Sequence, residues 1–428
     1  MTSENNRVLI IGGGLAGLAL GQALKNATPP IPFQIFERDT TSAYRAQGYR
    51  IRLAEGADAL DRLLSKDLFA TFEATCPQFT PGGSRIAAET NQPAPWNGPR
   101  GGPGQSGRAY NADRTVLRSV LMTGLEENIC FGKVFESYEA DEESGGVTAH
   151  FADGTSEKGA ILVGADGVRS LVRKSFLPEL KPLDSEGRAV FGKTLLGTPE
   201  VLEKVSSHIL AGGIVVANEG GDNSPTKLFS ETMRFTRGLD AAKDFVLPPD
   251  YVYWVLSFRS DHKTQEGETQ NVASELTPAE SAQLSLDIAA GWHKAVRAVF
   301  EKQTVESTSV LSFFICDPAN FRSSWGGIRD ETSTRAKQAV TLLGDSAHPM
   351  PPIGAVGANT ALQEAVDLYE ALVKVYHSSE DKLEQLGNYE KQIVDRAADA
   401  IGKSAGGAMM FWGMRPLAQL QPAKVWRD

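Results

Sequence analysis

Cysteine is scarce: Cys76, Cys130 and Cys316 are the only three in 428 residues. They lie far apart, with no CxxC pair and no histidine at ligand spacing, so neither a disulfide framework nor a metal site is expected. Positive charge is also in short supply. Lys and Arg total 43 against 53 Asp and Glu, and the net charge of −10 argues against nucleic acid or an anionic membrane as the main partner. Nor is there an uninterrupted apolar run of about 18–20 residues, the length needed to span a bilayer. No internal repeat is visible. A cytoplasmic protein is the default expectation, with peripheral membrane contact through the apolar tail "GGAMMFWGMRPLAQL" as a minor possibility.

Glycine and proline, by contrast, are placed with purpose. "RVLII" reads as a buried strand, residues 15–26 as a helix, "PPIP" as a break and "FQIFE" as a second strand. This is a βαβ unit and implies a parallel sheet. The apolar run after Arg7 could pass for a secretory signal, but its glycines belong to that unit. Residues 76–107 are too rich in Pro and Gly for a regular element. A helix is expected over 113–127, where Leu117, Leu121 and Leu125 recur, and a strand pair over 131–155. "AILVG" at 160–164 is another buried strand. From about 186 to 315 the alternation suggests a mostly antiparallel sheet. The last 70 residues read as helical, with Ala361, Ala365, Leu368 and Leu372 on one face and Leu383, Leu386, Tyr389, Ile393, Ala397 and Ile401 on another.

Three motifs carry chemistry. Gly12, Gly14 and Gly17, with Leu15 and Ala16 between, form a G-x-G-x-x-G between strand and helix, where backbone N–H groups meet a pyrophosphate. Glu37 closes the next strand, where an acid binds a ribose hydroxyl. Gly102–Gly107 also fits the pattern but lacks the flanking strand and helix, and reads as coil. Arg114 opens the following helix and is either a partner of the same cofactor or a surface arginine. In "GADGVRS", Asp166 ends a strand and either caps the next helix or accepts from a sugar hydroxyl. In "GDSAHPMPPIGAVGAN", Asp345 is a second such acid. The prolines, Pro352 among them, stiffen the loop, and Gly354, Gly357, Ala358 and Asn359 lead bare backbone into a helix whose positive end suits a negatively charged ring. His348 reads as structural more readily than as an acid–base group.

In this order the three motifs resemble the single-component FAD-dependent monooxygenases of the aromatic-hydroxylase class, over nearly the whole chain. "RAQGYRIRL" at 45–53 and "FGKT" at 191–194 are most similar to the branch with tetracycline-inactivating and fungal secondary-metabolite monooxygenases. One mild departure is Gly-Asp-Ser-Ala-His where Gly-Asp-Ala-Ala-His is usual. The resemblance implies an α/β fold: a Rossmann-like FAD-binding domain (1–75, 108–185, 330–380) interleaved with a mostly antiparallel substrate domain (76–107, 186–329), then C-terminal helices (381–428). It implies that Glu37 and Arg38 lie near the adenosine ribose, and that Arg114, Asp166 and Asp345 contact FAD. Pro352 and Gly354 to Asn359 would cradle the isoalloxazine. NADPH or NADH would visit transiently without a domain of its own, and O2 would react through a C4a-hydroperoxyflavin. One oxygen atom would enter a small, largely apolar aromatic or polycyclic substrate; no obligate protein partner is implied. Lys193, then Arg52, are the candidates for orienting a substrate oxygen, although alternation alone leaves open which sheet face Lys193 occupies. The rival readings are a dehydrogenase, reductase or halogenase on the same fold, or a non-enzymatic binding protein.

Overall fold

The computed structural model describes residues 6–41, 50–79, 84–95, 107–141, 145–217, 226–261 and 276–424. The chain begins β1 (Val8–Ile11), α1 (Leu15–Asn26), β2 (Phe33–Glu37), β3 (Arg50–Leu53), α2 (Glu55–Leu63) and α3 (Lys66–Thr75). It continues β4 (Ser84–Ala87), β5 (Tyr110–Asp113), α4 (Arg114–Met122), β6 (Ile129–Phe131), β7 (Phe135–Asp141), β8 (Gly146–Phe151), β9 (Ser156–Gly159), β10 (Ile161–Gly164) and α5 (Leu171–Phe176). Then come β11 (Leu183–Leu195), α6 (Pro199–Lys204), α7 (Ser207–Leu210), β12 (Ile214–Ala217), β13 (Lys227–Met233), β14 (Tyr251–Arg259), α8 (Pro278–Ile288), α9 (Lys294–Glu301) and β15 (Ser309–Ile315). The last elements are α10 (Pro318–Trp325), β16 (Val340–Leu342), α11 (Val356–His377) and α12 (Lys382–Trp412).

Two sheets organise the molecule. One is parallel, in the order β16-β10-β1-β2-β6, and assembles strands from distant parts of the chain. Its strands are short and almost wholly apolar, as expected where both faces are covered. The register pairs Ile11 with Phe36 and with Gly164, and Gly164 with Leu342. All the strand ends that precede the three motifs therefore emerge along one edge. The other sheet runs β15-β11-β14-β13-β12-β4, antiparallel except where β4 joins β12.

The second sheet buries both faces. Val190, Val252, Trp254, Leu256 and Val310 turn towards a core made with α8 and α9 (Leu284, Val296, Val299, Phe300). Ala189, Phe191, Met233, Tyr251, Tyr253 and Val255 turn the other way, into the core shared with the parallel sheet. Lys193 follows Phe191 at a spacing of two, so it faces the parallel-sheet half. That settles the face which alternation left open.

Three expectations need correction. Residues 84–87, inside the Pro/Gly-rich excursion, form β4, because the edge of β12 offers unpaired backbone partners. The 113–127 helix stops at Met122: Gly124 takes φ +73, a left-handed turn that ends a helix, while Leu125 stays buried. The 131–155 pair is a three-stranded sheet reaching Gly159. The second glycine match at 102–107 lies almost wholly outside the described residues, as does the first part of "RAQGYRIRL". In the C-terminal tail, Trp412 and Met414 are buried whereas Met409 and Met410 are exposed. Among the described residues no helix is long and apolar enough to cross a membrane.

Candidate active site

Glycine 12 has φ +111, and a Cβ there would stand 2.3 Å from the Ala165 carbonyl oxygen. A Cβ on Gly17 would stand 2.3 Å from the Gly12 oxygen, so two backbones meet where only glycine fits. Gly14 is different: nothing lies within 4 Å of where its Cβ would be. It opens α1, which has no side-chain cap and no acid in its first turn, so the helix end offers free N–H groups. Leu15 and Ala16, both half-buried, continue that turn. Glu37 is drawn in from β2. Its Oε2 accepts the Gly13 N–H at 2.8 Å and its Oε1 the Asp39 N–H at 3.0 Å. Arg38 beside it points outward and is exposed.

Asp166 caps the helix through one oxygen and leaves the other unspent. Oδ2 accepts the N–H groups of Leu171 (2.8 Å) and Val172 (3.3 Å) at the start of α5. Oδ1 is buried and has no hydrogen-bond partner among the described residues. Burial pushes this carboxyl up, opposed by Ser170 and the α5 backbone N–H groups. An acceptor of that kind, set at the strand-end edge, suits a hydroxyl donor. Asp345, on the parallel edge, has a side chain with open surface at the bottom of an enclosed cleft. Its carboxylate accepts no hydrogen bond from the described residues, and enclosure raises its pKa against the pull of His348, Arg114 and Arg173. Arg114, half-buried at the start of α4, is thus turned towards the cleft's charge.

The proline loop ends in a second bare helix start. Gly354 (φ +76) and Ala355 (φ +57) take left-handed conformations, and α11 begins with neither a side-chain cap nor an acid in its first turn. By contrast α3, α4, α5, α8, α9, α10 and α12 are all capped by a side chain. Pro352 and Gly354 are exposed, and Gly357 and Ala358 half-buried. From behind, α12 braces the loop: Ser404 Oγ donates to the Pro351 carbonyl at 2.7 Å, and Gly407 leaves room for Ile353.

Asn359 is spent within the protein. Its Oδ1 accepts from Ala54 N (2.9 Å) and Gly56 N (2.7 Å), and its Nδ2 donates to the carbonyls of Arg52 (3.0 Å) and Ala355 (2.6 Å). It clips the proline loop to β3 and supplies the cap that α2 lacks. Beyond that clip, Arg50 and Arg52 on β3, with Asn111 and Asp113 on β5, turn towards the antiparallel sheet. Asn111 donates to Glu231 at 2.8 Å, and Arg50 pairs with the same acid at 2.5 Å. Lys193 donates to Asp113 Oδ2 at 2.9 Å, Tyr251 donates there at 2.7 Å, and the ammonium stands 4.4 Å from the Tyr251 ring centre. Arg52 stacks on Phe79 at 4.9 Å.

Sequence reasoning missed three residues here. Arg118 Nε donates to the Gly13 carbonyl at 3.0 Å, with its guanidinium 3.8 Å from Glu37. Arg173, fully buried, donates to Ser346 O (2.7 Å), Asp345 O (3.3 Å) and Val168 O (2.6 Å), tying the second motif to the third. Glu364 binds His348 Nε2 at 2.7 and 2.8 Å. Each partner is a backbone group or a distant side chain, so no local spacing announces it.

Residues 289–404 match a protein-family model described as an FAD binding domain. The chain is 34% identical to the dual O-methyltransferase/FAD-dependent monooxygenase elcB of Phaeosphaeria nodorum, over 98% of this chain and 47% of that protein. The chain therefore spans about half the length of the curated relatives it matches first. The FAD-dependent monooxygenase phnB of Penicillium herquei is 24% identical over 96% of this chain and 92% of its own length. Among solved structures, one described as a FAD-containing monooxygenase of Photorhabdus luminescens superimposes with a TM-score of 0.73. It is 25% identical, covering 94% of this chain and 97% of its own.

Proposed function

We propose that the chain is one of the FAD-dependent monooxygenases of the aromatic-hydroxylase class, binding FAD and oxygenating a small aromatic or polycyclic substrate. The supporting observation is one edge of the parallel sheet. There an uncapped α1, an orphaned Asp166 Oδ1 and an unengaged Asp345 converge, facing an uncapped α11. Gly12, Gly14, Leu15, Ala16 and Gly17 would receive the pyrophosphate on free N–H groups. Glu37, with Arg38 at its margin, would take the adenosine ribose. Arg114, Asp166 and Asp345 would meet the ribityl and pyrophosphate groups. Pro352, Gly354, Gly357 and Ala358 would line the isoalloxazine; Asn359, its side chain occupied, would contribute backbone N–H alone. FAD, when bound, would accept reducing equivalents from transient NADPH or NADH and activate O2 for insertion of one oxygen atom into the substrate.

The remaining residues bind, orient and exclude water. Phe191, Phe229, Val255 and Phe313 form an apolar surface on the sheet face nearest the cofactor cleft. Lys193 and Arg52 would orient a phenolate, enolate or carbonyl there. Lys193 is the less available of the two, since Asp113 already balances its charge. The test is an absorbance spectrum of the purified protein, before and after anaerobic NADPH and then air. A yellow protein, bleached by NADPH or NADH and recoloured by air, supports the reading. Oxygen uptake without product oxygenation would move it to a reductase or oxidase, and a protein unable to take up FAD would sink it.

A further inference from the structure

One buried carboxylate grips both ends of the turn that carries Asp345. Glu364, in α11, and His348 are each fully buried. Glu364 Oε2 accepts the Gly344 N–H at 3.1 Å, and its two oxygens lie 2.7 and 2.8 Å from His348 Nε2. Between those ends the backbone closes on itself, Ala347 N and His348 N both donating to Gly344 O at 2.8 and 3.0 Å. Gly344 takes φ +64, and a Cβ there would press on Ala361 at 2.9 Å. The imidazole meets Phe321 edge-on at 5.9 Å, and its Nδ1 has no partner among the described residues. The turn is therefore fixed by glycine geometry and backbone bonds already, which leaves the Glu364–His348 contact with more than a shape to explain.

Its charge supplies the explanation. Burial by itself would favour a neutral imidazole; Glu364, by charge and hydrogen bond, and Asp345 more than offset it, so the pKa of His348 is raised. Resting on the reading that Asp345 receives a cofactor hydroxyl, we propose that Glu364 is a positioning residue that keeps His348 cationic behind Asp345, so that Asp345 stays a carboxylate. The other titratable or charged groups around the pair are Arg114 from α4, Arg173 from α5, Cys316 after β15, Asp367 from α11 and Tyr389 from α12. The two arginines also favour an ionised Asp345, whereas the charge of Glu364 acts directly against it, so Glu364 helps only through the imidazole, and loss of the imidazole's charge weakens FAD binding without abolishing it.

The test is FAD titration by flavin fluorescence on wild type, Glu364→Gln and His348→Asn, between about pH 5.5 and pH 8.5, the range in which histidine charge changes. Wild type should bind with nearly constant affinity. Glu364→Gln removes the counter-charge, so its imidazole is neutral at alkaline pH and regains a proton on acidification. Its FAD affinity should recover roughly fivefold from pH 8 to pH 6, about 1 kcal/mol. His348→Asn should bind weakly throughout, with no recovery. An equal loss at every pH in Glu364→Gln, or no loss in either variant, overturns the proposal. Histidine 15N shifts of the wild-type protein give a second arm that needs no variant. A cationic His348 at pH 7.5 supports the proposal, and a neutral one overturns it. Wild type that binds no FAD at any pH refutes the functional reading instead.

Discussion

Asp166 divides its two oxygens between the fold and the proposed cofactor contact. Oδ2 is committed to α5 and Oδ1 is left over, so the two duties are separable by an isosteric change. Asp166→Asn can keep the acceptor at α5 while presenting an N–H where a hydroxyl should donate. Folding stability should stay within about 1 kcal/mol, while the lost charge-assisted hydrogen bond should weaken FAD roughly tenfold or more. Urea unfolding and FAD titration on the same protein check both halves. Gly12→Ala should be worse on both counts. The left-handed φ and the 2.3 Å approach to Ala165 leave no room for a methyl group. A loss of about 2–3 kcal/mol is expected, with FAD binding abolished, because the strain falls on the turn that shapes the anion site.

At the scale of elements, capping distinguishes the helices. Apart from the single-turn α7, which has no side-chain cap, and α2, the other helices close their N-termini with Ser, Thr, Asp or His, whereas α1 and α11 leave theirs open on the cleft. α2 is closed from a distance by Asn359, which also holds the end of β3. Asn359→Ala removes four hydrogen bonds and strands buried backbone groups. A loss of about 3 kcal/mol in urea unfolding is the expected result. The loop and β3 should also come apart as a unit, visible as faster hydrogen exchange at 50–56 and 352–359 together. Exchange confined to one segment would mean that Asn359 is no clip.

At the scale of the whole molecule, the β3–β5 pair is tied to the antiparallel sheet by buried polar contacts. Asp113 caps α4 through one oxygen and holds Lys193 and Tyr251 through the other; Glu231 holds Asn111 and Arg50. Lys193→Met should cost about 2 kcal/mol, less than a fully buried pair, because Tyr251 and two backbone N–H groups still serve Asp113. If Lys193 also meets substrate, substrate-stimulated NADPH oxidation should fall further than the stability loss explains, with FAD affinity unchanged. Cofactor linkage acts on the same scale. If the cleft draws its FAD contacts from β1, β2, β10, β16, α4 and α11 as proposed, FAD at a hundred times its Kd should stabilise folding by about 2.7 kcal/mol. A thermal scan against FAD concentration reads this directly, and an unresponsive Tm would deny an FAD site in this cleft.

The sequence by itself determined what is local. Buried strands betray themselves by unbroken apolar runs, and glycines mark places where no other residue fits. The helix periodicities of 361–372 and 383–401 correspond to buried faces, except that Leu383, in the first turn of α12, is only half-buried. These signals sufficed for the βαβ unit, the parallel sheet and the order of the three motifs. Tertiary structure decided whatever depends on a partner distant in the chain. It gave Asn359 to β3 and α2, Lys193 to Asp113, Arg173 to the turn after β16, and Glu364 to His348. It also made the excursion at 84–87 a strand, by offering it the edge of β12. The physical reason is the same throughout. Backbone conformation and apolar burial are written in neighbouring residues, whereas a buried polar group takes its role from whichever group the fold brings within hydrogen-bond reach.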